Sequence, residues 1–306
     1  MKIAVLGAGA MGSLFGGRLA QAGFEVQLVD VNVAHIDAVR AAGLRLEDDG
    51  GDRRVPVAIG RAAEFEAPVD LLVVFTKGPY TEAALQSAAH LVGPSTWAMT
   101  LQNGLGNGER LAAHVAPGRV IVGMTNWPAD YRGPGHVHSH GDGEVRLWTF
   151  DGHEDAQVEA IAAALTQAGL NAHADREVTA AIWEKAAFNA AMNSIASVTG
   201  FTVGQMADDP DIPGLAASIV EEAAAVALAR GVAVSPERIT RSVRHAYAEH
   251  RPHKPSMLQD ILAGRPTEIE SINGAIVEQA RLAGVKAPTI EALARLVRAK
   301  QRQALL

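Results

Sequence analysis

Three polar side chains stand four residues apart in a largely apolar stretch of the sequence, WEKAAFNAAMNS. Lys185, Asn189 and Asn193 would share one face of a helix, because positions i, i+4 and i+8 drift only slowly around its axis. A solvated face would carry further charge, whereas Ala181 and Ser197 continue this stripe with small residues. Asparagine is also a poor helix former, so two in mid-helix need a reason. The spacing therefore favours a binding face over a solvated one.

A glycine-rich turn, GAGAMG, directly follows the first apolar run and matches the dinucleotide-binding pattern G-x-G-x-x-G. Gly7 permits a tight turn, Gly9 lets a pyrophosphate approach the backbone, and Gly12 allows the following helix to pack closely. We expect Ala10 and Met11 to begin that helix, whose free N–H groups would bind phosphate. The position between a strand and a helix favours a nucleotide site over a glycine turn without a ligand.

Asp30 ends the second apolar run, where an acidic residue of this pattern binds the adenosine ribose hydroxyls. A carboxylate there also repels a 2′-phosphate, and the following Val31 and Asn32 supply no cation to neutralise one. These residues favour NAD over NADP. Two alternatives remain open, since Asp30 could cap the next helix and an arginine could fold towards a 2′-phosphate. The arginines concerned are Arg40, Arg53 and Arg54.

Two further polar residues follow apolar runs that are typical of parallel strands. Lys77 closes LLVVFTK, and Asn103 lies in LQNGLGNG after the next run. Ligands bind at the carboxyl ends of the strands in open α/β sheets, so we expect both side chains near the cofactor. The alternatives are a solvated lysine at a strand end and an asparagine that forms a turn before glycine.

Short β-branched runs alternate with helical segments over the first half of the chain. These runs are continuously apolar, which is typical of parallel strands buried on both faces. The alternation predicts an α/β fold with a Rossmann-type doubly wound parallel sheet. The predicted strands are 2–7, 25–30, 70–76, 97–102 and 119–125, and the predicted helices are 10–22, 79–92 and 154–169.

Strand signals vanish from about residue 178, and alanine-rich helical periodicity continues to the C-terminus. Glycine and proline residues divide this part into separate helices. We therefore predict a dinucleotide-binding domain over 1–175 and an all-helical domain over 176–306 for substrate binding and dimerisation. Within the first domain we expect two hairpins, at 44–59 and 137–150.

The composition limits the classes of function. A net charge of −7 without a basic stripe argues against nucleic-acid binding. The chain has no cysteine, which excludes disulfides, thiolate zinc sites and cysteine nucleophiles, and which fits a reducing compartment such as the cytoplasm. The N-terminal MKIAVLGAGAMG has glycines within its apolar run, so we expect no signal peptide. No uninterrupted apolar stretch is long enough to predict a membrane span.

Three histidines alternate in HVHSH at 136–140, which places them on one face of a strand. This pattern also suits metal ligation. Because no nearby carboxylate cluster completes a site, we expect a solvent-facing hairpin and no metal. Trp127 and Tyr131, after the fifth predicted strand, could line the ligand site or simply pack the loop.

Five motifs occur in order along nearly the whole chain, and together they resemble the ketopantoate reductase (2-dehydropantoate 2-reductase) family. They are GAGAMG, TK at 76–77, QNG at 102–104, KAAFNAAMN at 185–193 and SMLQDILAGRPTEIESING at 256–274, the last being the most specific. The resemblance implies a Rossmann domain, a helical C-terminal domain and a cleft between them. It also implies hydride transfer from NAD(P)H to the keto carbon of a 2-oxo acid, with 2-dehydropantoate as the first candidate.

The resemblance further implies that Lys185 is the general acid and that Glu268 binds the substrate hydroxyl. A lysine ammonium can stabilise the alkoxide formed by hydride delivery and donate a proton to it, and a nearby carboxylate helps to keep the lysine protonated. Taken alone, Glu268 would be a first-turn helix residue and Ser256 a helix N-cap. The other implied site residues are Ser256, Asn189 and Asn193 for the substrate, and Lys77 and Asn103 near the reacting end of the cofactor.

Two regions depart from the family's pattern. Val31 and Asn32 stand where NADP-using members commonly carry a basic residue, and His253 stands where the family often has a substrate-contacting asparagine. We keep His253 as a substrate-binding candidate and keep two alternative functions open. One is an NAD-dependent D-2-hydroxyacid dehydrogenase acting on branched or aromatic 2-oxo acids, and the other is a non-catalytic nucleotide sensor. The expected partners are a small-molecule 2-oxo acid and a second copy of the chain, in a homodimer.

Overall fold

The computed structural model describes residues 1–304, and positions 305–306 of the predicted helical domain lie outside the described part. The chain divides into two compact units. The first consists of Met1–Gln102 and Asn107–Val178, and the second of Asn103–Gly106 and the residues from Thr179 onwards. The loop Asn103–Gly106 thus belongs to the second unit, although its neighbours in sequence on both sides belong to the first.

The first unit contains twelve strands and five α-helices. The strands are β1 (Lys2–Leu6), β2 (Glu25–Val29), β3 (Leu44–Asp48), β4 (Gly51–Val55), β5 (Ala58–Gly60), β6 (Leu71–Val74), β7 (Trp97–Thr100), β8 (Val120–Thr125), β9 (Asp130–Gly133), β10 (His136–His138), β11 (Val145–Thr149) and β12 (Ala172–Ala174). The helices are α1 (Ala10–Gln21), α2 (Val33–Ala42), α3 (Thr81–Ser87), α4 (Asn107–Ala112) and α5 (Ala156–Gln167). Short 3₁₀ turns lie at Ala62–Glu64, Gly78–Tyr80 and Ala89–Leu91.

Eight strands form the main sheet, in the order β12–β11–β8–β7–β6–β1–β2–β5. The five strands predicted from apolar runs pair in parallel, which confirms the predicted α/β sheet. β11 runs antiparallel to β8, so the sheet is mixed at that edge. The order of strands reverses at β1, which lies between β2 and β6. The carboxyl end of β1 is therefore the switch point where sheets of this kind bind ligands.

A smaller sheet has the order β4–β3–β10–β9. The antiparallel pairing of β3 with β4 confirms the hairpin predicted at 44–59. The hairpin predicted at 137–150 is wrong, because β10 pairs with β3 and β9, whereas β11 pairs with β8 and β12. Val137 is fully buried in the small sheet, and Val145 and Leu147 are fully buried in the main one. Distant partners thus outweigh the local turn signal between the two strands.

The described residues of the second unit form helices, as the alanine-rich periodicity predicts. These are α6 (Val178–Thr199), α7 (Val203–Asp208), α8 (Ile212–Ala229), α9 (Pro236–Glu249), α10 (Ser256–Leu262), a π-helix (Glu270–Gly274), α11 (Ala275–Ala283) and α12 (Pro288–Ala304). Their core includes Ala186, Ala190 and Ile195 of α6, which have no exposed surface. Alanine at such positions lets neighbouring helices approach closely. The Lys185 stripe therefore runs along a helix whose other faces are packed.

Among the described residues, α8 is the one helix that is long and apolar enough to cross a membrane by length and composition alone. Its buried side chains, such as Ile219 and Val220, belong to the core of the helical unit. Its Glu222 carboxylate accepts hydrogen bonds from the backbone N–H groups of Thr289 and Ile290, at 3.0 Å each, where α12 begins. Helix α8 therefore packs as a core helix of the second unit.

Candidate active site

The glycine-rich turn lies between β1 and α1, at the switch point of the main sheet. A Cβ atom on Gly12 would overlap the carbonyl oxygen of Gly7, so glycine is required there for the turn to close against the helix. A Cβ on Gly9 would meet no atom within 4 Å, so the backbone at Gly9 faces open space. No side chain caps the N-terminus of α1. Free N–H groups beside an open glycine suit a pyrophosphate, so these residues fit a dinucleotide.

Asp30 follows β2 and is held by backbone N–H groups. Its Oδ2 accepts a hydrogen bond from Ala8 N at 2.7 Å, and its Oδ1 accepts from Val31 N at 2.7 Å and Asn32 N at 2.8 Å. Helix α2 is capped instead by Asn32, whose side chain accepts from His35 N, so the alternative that Asp30 caps this helix is wrong. Asp30 is thereby tied to the glycine turn, and its contact with a ribose stays a prediction.

The arginines that could neutralise a 2′-phosphate make contacts with protein groups. Arg40 lies 2.6 Å from Glu64, and Arg53 lies 2.6 Å from Asp48. Arg54 donates to a backbone carbonyl at 3.4 Å. The Arg40 pair is exposed and therefore contributes little stability, whereas the Asp48 carboxylate is buried. None of these contacts directs a cation to Asp30.

A side-chain network joins the carboxyl ends of β6 and β7. Gln102 donates to Thr81 Oγ1 at 2.9 Å and to the carbonyl oxygen of Thr76, and the two threonine hydroxyls lie 3.0 Å apart. Lys77 stands beside this network, and its carbonyl accepts from Tyr80 N at 2.9 Å. Because β6 neighbours β1, Lys77 lies at the predicted edge of the sheet. No sequence pattern predicts this network, although the TK and QNG motifs contain Thr76 and Gln102.

Lys185 lies half-buried on α6 in the second unit. Burial lowers the pKa of Lys185 to about 8, and the Glu268 carboxylate partly opposes this effect. The pKa of Lys185 is therefore lower than the ordinary lysine value of 10.5, but the ammonium form still predominates at neutral pH. A pKa close to the working pH is what efficient proton donation requires. The structure thus brings Lys185 and Glu268 into one electrostatic environment.

The loop Asn103–Gly106 packs against the π-helix that follows Glu268. Asn103 Nδ2 donates to Glu268 Oε2 at 3.4 Å, and Leu105 N donates to Ser271 O at 2.8 Å. Gly104 has a φ of +90°, and a Cβ there would overlap the Ser271 carbonyl oxygen. Only glycine therefore allows this approach. The contact joins Asn103, predicted near the cofactor, to Glu268, which affects the pKa of Lys185.

Farther along the stripe, Asn193 joins α6 to α10. Its Oδ1 accepts from Met257 N at 3.2 Å and from Ser256 Oγ at 3.4 Å. Ser256 is the first residue of α10 and the N-cap position is occupied by the preceding proline, so the N-cap interpretation of Ser256 is wrong. Asn189 is half-buried between Lys185 and Asn193, and His253 is exposed before α10. The substrate contacts of these residues stay predictions.

Trp127 and Tyr131 lie in the first unit and have different surroundings. Trp127 is buried, its Nε1 donates to Leu170 O at 2.8 Å, and the Arg18 guanidinium lies 4.3 Å from its ring centre. These contacts favour the loop-packing alternative for Trp127. The Tyr131 hydroxyl instead lies 3.3 Å from Nδ1 of His35, a buried residue that the sequence analysis did not single out.

The alternating histidines have carboxylate neighbours, contrary to expectation. His136 Nε2 lies 2.9 Å from Glu47. Potential ligand atoms of Asp130, His138 and His140 all lie within 4.8 Å of one another. The Arg132 guanidinium lies 3.3 Å from His138 Nδ1 and 3.6 Å from Asp130. A cation already accompanies this exposed group, so we assign no metal to it.

Solved structures of known proteins share this architecture along the full chain. D-mandelate dehydrogenase with NADH and anilino(oxo)acetate has a TM-score of 0.95 and 32% sequence identity, covering 100% of both chains. The PanE/ApbA family ketopantoate reductase from Ralstonia eutropha JMP134 has a TM-score of 0.91 and 29% identity, also covering 100% of both chains. Both similarities extend over the two units.

Sequence comparisons give the family. The model of Ketopantoate reductase PanE/ApbA matches residues 3–152, and that of its C-terminal domain matches residues 177–301. The 2-dehydropantoate 2-reductase of Halobacterium salinarum is 35% identical over 303 residues and covers 99% of each chain. That of Streptococcus pyogenes serotype M1 is 32% identical over 302 residues and covers 98% of each chain. The resemblance carried by the five motifs is therefore confirmed, and the chain belongs to the ketopantoate reductase family of nicotinamide-dependent oxidoreductases.

Proposed function

We propose that this protein reduces the keto group of a 2-oxo acid, with 2-dehydropantoate as the first candidate, and that Lys185 is the general acid. The reduced nicotinamide, when bound, supplies the hydride to the keto carbon. The burial of Lys185 close enough to Glu268 to feel its charge is the observation that carries the proposal. Burial lowers the pKa of Lys185 to about 8, while the Glu268 carboxylate beside it favours the ammonium. Solvated surface lysines have no such environment.

Lys185 would act on the oxygen of the reacting carbonyl. Negative charge develops there as the carbon is reduced, and an ammonium group stabilises this charge and then donates its proton. Glu268 would accept a hydrogen bond from the substrate hydroxyl while keeping Lys185 protonated. Asn103 donates to Glu268 at 3.4 Å and holds its carboxylate without adding charge. Asn189, Asn193 and Ser256 are the remaining candidates for orienting the substrate.

The residues of the first unit would hold the dinucleotide. Gly9 and the N-terminus of α1 would bind its pyrophosphate, and Asp30 its adenosine ribose. We propose NADH as the preferred donor, because Asp30 would repel a 2′-phosphate and the nearby arginines contact other groups. Comparison of kcat/KM for NADH and NADPH tests this preference. A strong preference for NADPH would refute it.

The role of Lys185 is tested by replacement with alanine. We expect Lys185→Ala to lower kcat by orders of magnitude with little change in the dissociation constant of the cofactor. Lys286→Ala is the matched control, since Lys286 is an exposed lysine of the same unit. Near-normal turnover by Lys185→Ala would remove Lys185 from the mechanism.

A second candidate function is that of an NAD-dependent D-2-hydroxyacid dehydrogenase acting on branched or aromatic 2-oxo acids. The similarity to D-mandelate dehydrogenase, at a TM-score of 0.95, favours it, as does His253 in place of the family's frequent asparagine. A panel of 2-oxo acids assayed with each cofactor separates the two. 2-Dehydropantoate should dominate under the first proposal and aromatic acids under the second. Cofactor binding with no turnover of any 2-oxo acid would instead indicate a nucleotide sensor.

We further propose a cytoplasmic homodimer. The absence of cysteine fits a reducing compartment. Four leucines of the second unit are more than half exposed and supply apolar surface for a second copy, namely Leu228, Leu262, Leu282 and Leu296. Light scattering after gel filtration measures the mass, and a monomer at micromolar concentration would contradict the dimer.

A further inference from the structure

His35 is a buried histidine, 1% exposed, that the proposed chemistry does not use. Gly135 N donates to its Nδ1 at 2.9 Å, and its Nε2 lies 3.3 Å from Ser13 Oγ. Ser13 Oγ in turn donates to the carbonyl oxygen of Ala8 at 2.7 Å. Ala8 stands within the glycine turn. A buried chain of hydrogen bonds therefore runs from the connection between β9 and β10 to the dinucleotide-binding turn.

The direction of each hydrogen bond in this chain is fixed. A backbone N–H can only donate, so Nδ1 of His35 accepts from Gly135 and carries no proton. The neutral ring then has its proton on Nε2 and donates it to Ser13. The Ser13 hydroxyl uses its own proton for the Ala8 carbonyl. The Tyr131 hydroxyl lies 3.3 Å from the same nitrogen, whose single lone pair is engaged by the shorter bond from Gly135.

This chain controls the orientation of one peptide group. The C=O and N–H of a trans peptide point in opposite directions, so holding the Ala8 carbonyl towards Ser13 turns the Gly9 N–H the other way. Asp30 holds the N–H of Ala8 at 2.7 Å, which fixes the other side of the same residue. The space around Gly9 is open. The Gly9 N–H is thus held pointing away from Ser13.

We infer that His35 and Ser13 are positioning residues that hold the glycine turn in the form that binds the pyrophosphate of a dinucleotide. They act through Ala8 and touch no part of the ligand. This inference rests on the proposed use of a dinucleotide cofactor and extends it to residues outside the glycine fingerprint.

Protonation of His35 would break the chain, because a second ring proton on Nδ1 would face the N–H of Gly135. The titratable groups near the ring are Asp30, after β2, and Tyr131 of β9, while α1 contributes the uncharged Ser13. Burial lowers the pKa of His35 from 6.5 and Asp30 partly opposes this, so the ring is neutral at neutral pH. Affinity for the dinucleotide should therefore fall on acidification below pH 6.5.

The test measures NADH binding by fluorescence titration of the full-length protein. Ser13→Ala should raise the dissociation constant about 3- to 10-fold, as expected for loss of one buried hydrogen bond. Ser139→Ala is the control, because Ser139 is equally buried and donates to Pro128 O at the same 2.7 Å. Its affinity for NADH should be unchanged. At saturating NADH, kcat of Ser13→Ala should stay near that of the parent, while KM for NADH rises.

Two variants test the two ring nitrogens of His35 separately. His35→Gln can present an N–H near the Nε2 position and should retain more affinity than His35→Asn, which can replace only the Nδ1 acceptor. Both should lose the decline in affinity on acidification. The inference would be overturned if Ser13→Ala and Ser139→Ala bound NADH equally well. It would also be overturned if the affinity of both His35 variants still fell on acidification. Either result would leave the proposed function standing. Failure of the unmodified protein to bind any nicotinamide dinucleotide would overturn the proposed function and the inference with it.

Discussion

The pH dependence of turnover is the most direct check on Lys185 as the proton donor. Burial lowers the pKa of Lys185 to about 8, and only the protonated amine can donate. About 90% of the groups would be protonated at pH 7 and about 10% at pH 9, so kcat/KM for the 2-oxo acid should fall about tenfold per pH unit above pH 9. A lysine of ordinary pKa would keep the rate nearly constant until about pH 9.5. Oxidation of the 2-hydroxy acid needs the neutral amine, so its rate should rise between about pH 7 and 9 and level off at higher pH.

Replacement of Glu268 moves this profile in a defined direction. The Glu268 carboxylate raises the pKa of Lys185 against the larger effect of burial. In Glu268→Gln the pKa should fall further, and the decline in kcat/KM should begin at lower pH. Glu270→Gln is the matched control, because Glu270 is exposed and pairs with Arg298 at 2.7 Å. Its profile should coincide with that of the parent.

The assay follows NADH absorbance at saturating cofactor across about pH 6 to 10, using kcat/KM because it reports groups of the enzyme before the 2-oxo acid binds. A profile that is flat from pH 7 to about 9.5 would refute the desolvated lysine as the donor. A decline that persists unchanged in Lys185→Met would assign it to another group. If the pH profile of Glu268→Gln were identical to that of the parent, Glu268 would have no effect on the pKa of Lys185.

Three other outcomes are expected from the geometry. Gly9→Ala should weaken NADH binding without lowering the melting temperature, because a Cβ there meets only open space; a large loss of stability would contradict this. Gly106→Ala, at a φ of +83°, should lose about 1–2 kcal/mol of stability from backbone strain. Gly104→Ala should lose more in the same chemical denaturation, because its Cβ also overlaps the Ser271 carbonyl; equal losses would refute that close contact. Lys185→Met should raise the melting temperature at pH 7 by about 2–4 °C, and the gain should shrink from pH 8 to 10.5 as the parent lysine loses its charge in both states.

The five parallel strands β1, β2, β6, β7 and β8 of the main sheet were predictable because nearly all of their residues are buried. Such a strand must be apolar at every position, so β1 and β6 are visible as short runs in the sequence. β9 and β10 have no such signature, since β9 is exposed at three of its four residues and β10 has a single buried residue between two half-buried ones. β10 pairs on one side with β3, which lies far away in sequence. The turn residues after His138 therefore indicated a local hairpin, whereas β10 and β11 pair with strands of two different sheets.

Candidate site residues were predictable where the chemistry depends on local spacing. The glycine turn and the Lys185 stripe are read directly from positions a few residues apart. Asn103 and Glu268 are 165 residues apart in sequence, so their contact cannot be predicted from the spacing of nearby residues. The chain from His35 to Ala8 is equally hidden, because a single histidine in an amphipathic helix carries no pattern. The position of Asn103 after an apolar run indicated that residue, the motif resemblance indicated Glu268, and the structure showed the contact between them.

The π-helix contacts the loop whose neutral Asn103 amide donates to Glu268. A π-helix shifts backbone hydrogen bonds by one residue relative to an α-helix, and here the carbonyl of Ser271 accepts from Leu105 N. That bond and the missing Cβ of Gly104 bring the Asn103 amide to the carboxylate. A cationic side chain in this place would neutralise Glu268 and let burial lower the pKa of Lys185 further. An amide adds no positive charge beside Glu268, so this loop leaves the carboxylate able to raise the pKa of Lys185 and favour the ammonium at neutral pH.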